Sequence, residues 1–187
     1  MNFSSTPNEF NNIEDFEHKP DSADPGLQRF ARRLKTSMGR DTLIQKELDK
    51  LRTQLKCDRV ILYYFYSQWK GQVTFESLSN ATLSIYGSTG ADECFNHQYA
   101  QDYQNGRITA ITDIETESLH PCHQNFLRSL SIRANLVVPV IVSNELWGLL
   151  IAHHCQHPHV WNSAELDGMK VVAETLSTAP EIIDFKK

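Results

Sequence analysis

The chain has 187 residues, 40% of them apolar, 10% aromatic and 22% charged, with a formal net charge of −5. That length suits one globular domain with a sizeable core. The longest apolar runs, Ala134–Val142 and Leu146–Ala152, are far too short for a membrane span, and no basic segment followed by an apolar one opens the chain as in a secretory signal. Residues 1–25 carry Glu9, Glu14, Asp15, Glu17, Asp21 and Asp24 against Lys19, which accounts for the whole net charge. The remainder is balanced, so nucleic acid is not an expected partner. Four cysteines, Cys57, Cys94, Cys122 and Cys155, are too few for a disulfide scaffold. Free thiols in a reducing, cytoplasmic compartment are the expectation.

Residues 1–25 are acidic and rich in Asn, Ser, Asp and Pro, which predicts a disordered tail. A globular domain is expected over 26–180 and a short tail over 181–187. Leu27, Phe30, Leu34 and Met38 recur at helical spacing, and a second helix is expected from Asp41, a plausible N-cap, with Leu43, Ile44, Leu48, Leu51 and Leu55 on one side. Val60–Tyr66 is β-branched and aromatic, a strand, and Gln72–Ser79 is its partner across a turn at Gln68–Gly71. Residues 80–93 read as a loop. Cys94–Gln104 predicts a short helix, stopped by Asn105-Gly106, and Arg107–Ile114 a strand. Pro121 opens a helix at its first turn. Ala134–Val142 and Glu145–His154 are two apolar strands joined at Ser143-Asn144, a tight hairpin turn. Ser163–Ser177 is the last helix, and Pro180 is expected to end it. Hairpin-linked strands with flanking helices predict an α+β domain built on an antiparallel sheet.

Two thiols stand out. Cys122, beside His123, lies at a helix N-terminus, where unpaired N–H groups and a partial positive charge lower a thiol's pKa. Cys94 lies in Asp92-Glu-Cys-Phe95, and His97 could face it one turn on. The stretch His153-His-Cys-Gln-His-Pro-His159 contains zinc-ligand types, but Pro158 bends it and no Cys-x-x-Cys partner exists, so no metal is expected. Cys57, at a helix-to-strand junction, reads as structural. No Gly-rich phosphate loop and no Gly-x-Ser-x-Gly elbow is present, and no enzyme activity is expected.

Taken together, Cys57-Asp-Arg-Val60, Asp92-Glu-Cys-Phe95, Tyr103-Gln-Asn-Gly-Arg-Ile108, Pro121-Cys-His123, Arg133–Pro139, Leu146–His153 and Pro158-His-Val-Trp161 resemble the bilin-binding GAF domains of cyanobacteriochromes, relatives of phytochrome. The resemblance runs from about Leu27 to Ser177 and implies a GAF fold and a photoreceptor. It implies that Cys122 links covalently to a linear tetrapyrrole, phycocyanobilin or phycoviolobilin. Cys94 would supply the second, light-labile thioether of the Asp-Xaa-Cys-Phe subfamily, with Phe95 in the same motif. Asp92 would accept from pyrrole N–H groups, although a loop turn or helix N-cap is its local reading. His123 would stack on or bond to the inner pyrroles, Tyr103 would lie near the chromophore, Arg107 would suit a propionate, and His153 would end a core strand beside the bilin. Tyr63-Tyr64-Phe65 lacks the arginine many relatives have there, and Asp102 stands where many have a base. Both departures put the propionate contacts in doubt. The alternatives are a pigment-free GAF domain binding a small ligand, or a thiol redox sensor using Cys94 and Cys122. The expected output is contact with a separate signalling partner protein, or a homodimer, through the tail and the Leu27–Leu55 helices.

Overall fold

The computed structural model describes residues 25–67, 70–90 and 97–183. The expected acidic tail, apart from Pro25, lies outside the described residues, as do Asp92, Cys94 and Phe95. The elements in chain order are α1 (Pro25–Leu55), β1 (Arg59–Ser67), β2 (Lys70–Leu78), a 3-10 turn (Ala81–Leu83), α2 (His97–Gln104), β3 (Thr109–Ile111), α3 (Pro121–Ser129), β4 (Ala134–Val142), β5 (Glu145–His154), α4 (Ser163–Thr178) and α5 (Pro180–Ile183). The strands form one sheet in the order β2-β1-β5-β4-β3, antiparallel at every pairing. The chain divides into two compact units, residues 1–34 and 35–187, and the sheet lies in the second. No helix among the described residues is long and apolar enough to cross a membrane.

Side-chain alternation divides the sheet between two tasks. Even-numbered residues of the central strands, Val60, Leu62, Leu136, Val138, Leu150 and Ala152, belong to the main core. Ile44, Leu48, Leu51 and Leu55 of α1 join that core, as do Met169, Val172, Ala173 and Leu176 of α4 and Ile182 of α5. Odd-numbered residues on the other face, Ile61, Tyr63, Val137, Leu149, Ile151 and His153, line a cavity.

The Ser143-Asn144 hairpin forms as expected, with φ of +52° and +63° at its two residues, the left-handed pair that matches strand twist. Two expectations need correction. A single helix runs from Pro25 to Leu55 where two were expected. Asp41 does not cap a helix; its carboxylate accepts from Arg40 Nε at 2.8 Å. Gly39 costs a helix about 1 kcal/mol, too little to break one whose later turns are buried against the sheet. β3 is three residues long; beyond Ile111 the Thr112 carbonyl accepts from the His159 N–H at 2.9 Å instead of from a strand, and the Asp113 carboxylate is held by Arg133 at 2.6 and 2.8 Å. α4 ends before Pro180, as expected; Pro180 then opens the short α5, where its missing N–H is harmless, and Ile182 anchors that turn in the core.

Gly148 sits where β1 and β5 pack closely, opposite Tyr64. A Cβ there would lie 2.7 Å from the Tyr63 carbonyl oxygen, which is backbone and cannot swing away. Gly148→Ala is therefore expected to destabilise the domain by about 1–3 kcal/mol, read as a lowered urea midpoint. An unchanged midpoint would show that the strands can part there.

Candidate functional site

The cavity has a volume of about 260 Å³ and lies between the odd face of the sheet, the loop before α2, and α3. Its floor is mostly Ile, Val and Leu, and its polar lining includes Tyr63, Tyr103, Arg107, His120, His123, Asn135 and His153. Four of the expected site residues, His123, Tyr103, Arg107 and His153, are thus brought to one cavity from α3, α2, the turn before β3, and β5.

α3 begins with His120 as N-cap, its Nδ1 accepting the Cys122 N–H at 3.3 Å, and Pro121 at the first helical position. Cys122 stands in that first turn and is disulfide-bonded, which departs from the expectation of free thiols. Cys57 and Cys155 are free. Cys57 is structural, as expected: its Sγ–H points at the Arg59 carbonyl at 3.6 Å, and burial pushes the thiol up to about 12, where little reactive thiolate exists.

Tyr103 is buried, and its hydroxyl donates to Thr109 Oγ1 at 3.0 Å. Arg107 pairs with Asp102 at 2.8 Å. The acid that replaces a base in the sequence therefore holds the guanidinium expected to meet a propionate. Tyr63 accepts from the Gly90 N–H at 3.0 Å, fixing the loop that closes one side of the cavity.

Three cavity residues escaped the sequence reading as site residues: Tyr63, Asn135 and the cap His120. A fourth, Arg59, supports the site from behind. Arg59 is 1% exposed and donates through Nε to His153 Nδ1 at 3.0 Å. Its terminal nitrogens donate to the carbonyls of Leu83 and, at 3.0 Å, Leu130. The available signal was a charged residue opening an otherwise apolar strand. Asn135 is 4% exposed and its Oδ1 has no hydrogen-bond partner.

The histidine-rich stretch after β5 does not assemble a metal site: among the described residues no group of three or more His, Cys, Asp or Glu side chains is placed to hold one. Instead His154 stacks on His159 at 4.2 Å between ring centres, and His159 Nε2 lies 2.8 Å from Glu165 Oε1. Trp161 donates to the Ile111 carbonyl at 3.1 Å and closes the main core.

With a cavity of this lining on this sheet, the relationship is clear from comparison. Residues 39–179 match the model of the GAF domain family. The chain belongs to the GAF domain family. An uncharacterized protein of Picosynechococcus sp. (strain PCC 7002) is 48% identical over 86% of this chain and 99% of its own length. A putative methyl-accepting chemotaxis protein of Synechocystis sp. (strain PCC 6803) is 36% identical over 75% of this chain, but the match spans only 14% of that protein. The crystal structure of the blue-light absorbing form of the Thermosynechococcus elongatus PixJ GAF domain aligns with a TM-score of 0.74 and 37% identity, covering 82% of this chain and 91% of that one. A phycoerythrobilin-bound GAF domain from a cyanobacterial phytochrome aligns with a TM-score of 0.71 and 25% identity, covering 86% and 95%. This GAF domain thus has the cyanobacteriochrome form of the fold, as the sequence motifs imply.

Three imidazoles of the GAF domain are pushed below their usual range. His123 is lowered by burial and then by His120, His153 by burial and then by Arg59, and His154 by burial and then by His159. Each folded value lies below the unfolded one, near 6.5. Below that pH the unfolded chain binds more protons, so stability falls as pH drops from about 6.5 toward the folded values. Fully buried His153 contributes a slope of up to about 1.4 kcal/mol per pH unit. Urea midpoints should fall steadily from pH 7 to pH 5.5, and a flat profile over that window would contradict this assignment.

Proposed function

We propose that the protein is a photoreceptor domain that holds a linear tetrapyrrole covalently at Cys122. The observation that carries this reading is the juxtaposition of His123, Tyr103, Arg107 and His153 around one apolar cavity. The helix forming one of its walls, α3, has Cys122 in its first turn. The lining fits such a ligand by chemistry: apolar residues for the pyrrole faces, a guanidinium for a carboxylate, and an unpaired buried amide oxygen at Asn135.

Bound there, phycocyanobilin or phycoviolobilin would supply a visible chromophore whose double-bond geometry light can change. Before attachment, the disulfide at Cys122 takes two electrons and two protons from a dithiol reductant. The Cys122 thiol then adds across a carbon–carbon double bond. One S–C bond forms, the thiol hydrogen ends on the other carbon, and no oxidant is consumed. The positive end of α3 favours the thiolate that attacks. Cys94 is proposed to form a second thioether in the same way, broken by light with return of the hydrogen to sulfur. Asp92 and Phe95 belong to the same motif, and Asp92 would accept from pyrrole N–H groups. His123 would face the inner pyrroles and Tyr103 the chromophore edge, while Arg107 would exchange Asp102 for a propionate. The cycle turns over no substrate.

The signal is proposed to pass in the cytoplasm to a separate partner protein or within a homodimer. Leu27, Phe30, Leu34 and Met38 on α1 are between 50% and 63% exposed and supply an apolar stripe for such contact. The disulfide at Cys122 favours a second reading, a pigment-free thiol redox sensor.

Expression beside a bilin-making pathway, followed by a denaturing gel, separates the two readings. Pigment should migrate with the wild-type chain and be lost in Cys122→Ala. Cys94→Ala should keep the pigment but lose the violet or blue absorption band. A wild-type band without pigment, whose thiol titre changes with oxidant, would favour the redox reading. An unchanged blue band in Cys94→Ala would overturn the second thioether.

A further inference from the structure

Arg59, His153 and Asn135 form one transverse row across the sheet: Arg59 is the register partner of His153, and His153 of Asn135. All three side chains are buried, and their neighbours in the cavity wall, Ile61, Ile151, Val137 and Ile111, are apolar. A guanidinium has donors and no acceptor. The imidazole nitrogen that faces Arg59 Nε at 3.0 Å, Nδ1, must therefore accept. The ring's single proton then sits on Nε2, which makes no hydrogen bond to any described residue, on a side chain that lines the cavity. Next to it stands the Asn135 amide with its unpaired oxygen.

We propose that Arg59 is a positioning residue that locks His153 in the Nε2–H tautomer, so that the row presents a donor beside a free amide and recognises a lactam, an N–H next to a C=O, on the ligand. The ligand's class rests on the bilin reading, since both end rings of a linear tetrapyrrole are lactams; the tautomer does not. His153 gives its proton to the lactam oxygen, and the Asn135 oxygen accepts the lactam N–H. Arg59 touches no ligand. It is held from behind by the carbonyls of Leu83 and Leu130, so the donor is fixed before a ligand arrives.

The charged and titratable groups around this row leave the assignment intact. Asp58 is engaged by the Cys155 N–H at 2.7 Å, and Glu76 by Ser84 Oγ and the Ile85 N–H, both at 2.6 Å. Tyr63, Tyr103, Arg107, His120 and His123 line the same cavity, and none makes a hydrogen bond to His153. Protonation of Nδ1 would set one N–H against another, and the Arg59 charge opposes it as well.

The test uses the whole chain with 15N-labelled histidine, before and after pigment loading, with His153→Gln to assign the resonance. Wild-type His153 should show a bare Nδ1 and a protonated Nε2, unchanged from pH 8 to 5.5. In Arg59→Gln it should titrate and mix tautomers. The absorption spectrum of the loaded variant should gain a pH dependence with its midpoint raised by at least about one unit, a tenfold change in proton affinity. Arg59→Lys, which keeps the charge but not the fork, should keep His153 neutral while mixing its tautomers. A wild-type Nδ1–H form, or a pH profile unchanged in Arg59→Gln, would overturn the role of Arg59. Should Arg59→Gln fail to fold, the wild-type tautomer alone decides. Asn135→Leu should still take up pigment with a shifted absorption maximum, and an unshifted one would overturn the lactam assignment. An Nε2–H form in a chain that takes up no pigment would support Arg59 and overturn the bilin reading.

Discussion

One buried guanidinium holds the site together. Arg59 binds the 3-10 turn through Leu83, the end of α3 through Leu130, and the end of β5 through His153. These segments are 24, 71 and 94 residues away in sequence. Among the described residues no carboxylate bonds to it directly, and two carbonyl dipoles and an imidazole lone pair stabilise its charge. Truncating it would leave the buried His153 acceptor unpaired, at a cost of about 1–3 kcal/mol, and would release two part-buried carbonyls. Against a total stability of about 5–15 kcal/mol, that makes Arg59 a structural constraint as much as a functional one. Burial itself keeps His153 neutral, and the contact that orients the ring adds the repulsion of the Arg59 charge.

The site depends on this frame. α3 is a short helix capped at one end by His120 and tied at the other, past Leu130, to β1. Arg128 grips Glu115 along its flank through two nitrogens. The first turn, which carries Cys122, is therefore carried on a helix clamped along its length. Opposite it, the Gly90 N–H on the Tyr63 hydroxyl anchors the loop that precedes α2. The cavity is thus bounded by secondary structure and by a loop pinned to the sheet at Gly90.

The chain announces what is local and hides what is distant. β4 and β5 run over the residues expected from their apolar runs, and the Ser143-Asn144 turn between them follows from two residues that tolerate positive φ. α3 and α4 start where Pro121 and Ser163 suggest. Asp41 misled, because a side chain able to cap a helix is weak punctuation that burial further along can override. The motifs that resemble cyanobacteriochromes pointed to His123, Tyr103, Arg107 and His153, which do share a cavity. The Arg59–His153 bond was not legible: the partners lie 94 residues apart, and only the β1–β5 register brings them opposite. Asn135 was hidden for the same reason, since its row is defined by two other strands. The Asp102–Arg107 pair could have been read from charge and spacing, but both residues were assigned singly.

The alternation of the central strands has an evolutionary corollary. Positions 61, 137, 149 and 151 face the cavity, whereas 60, 62, 136, 138 and 150 hold the helices to the sheet. Cavity lining and folding thus draw on different letters of the same strands. A lineage can reshape the pocket one odd residue at a time while its helices stay packed, but it cannot insert or delete a single residue in β5 without exchanging the two sets.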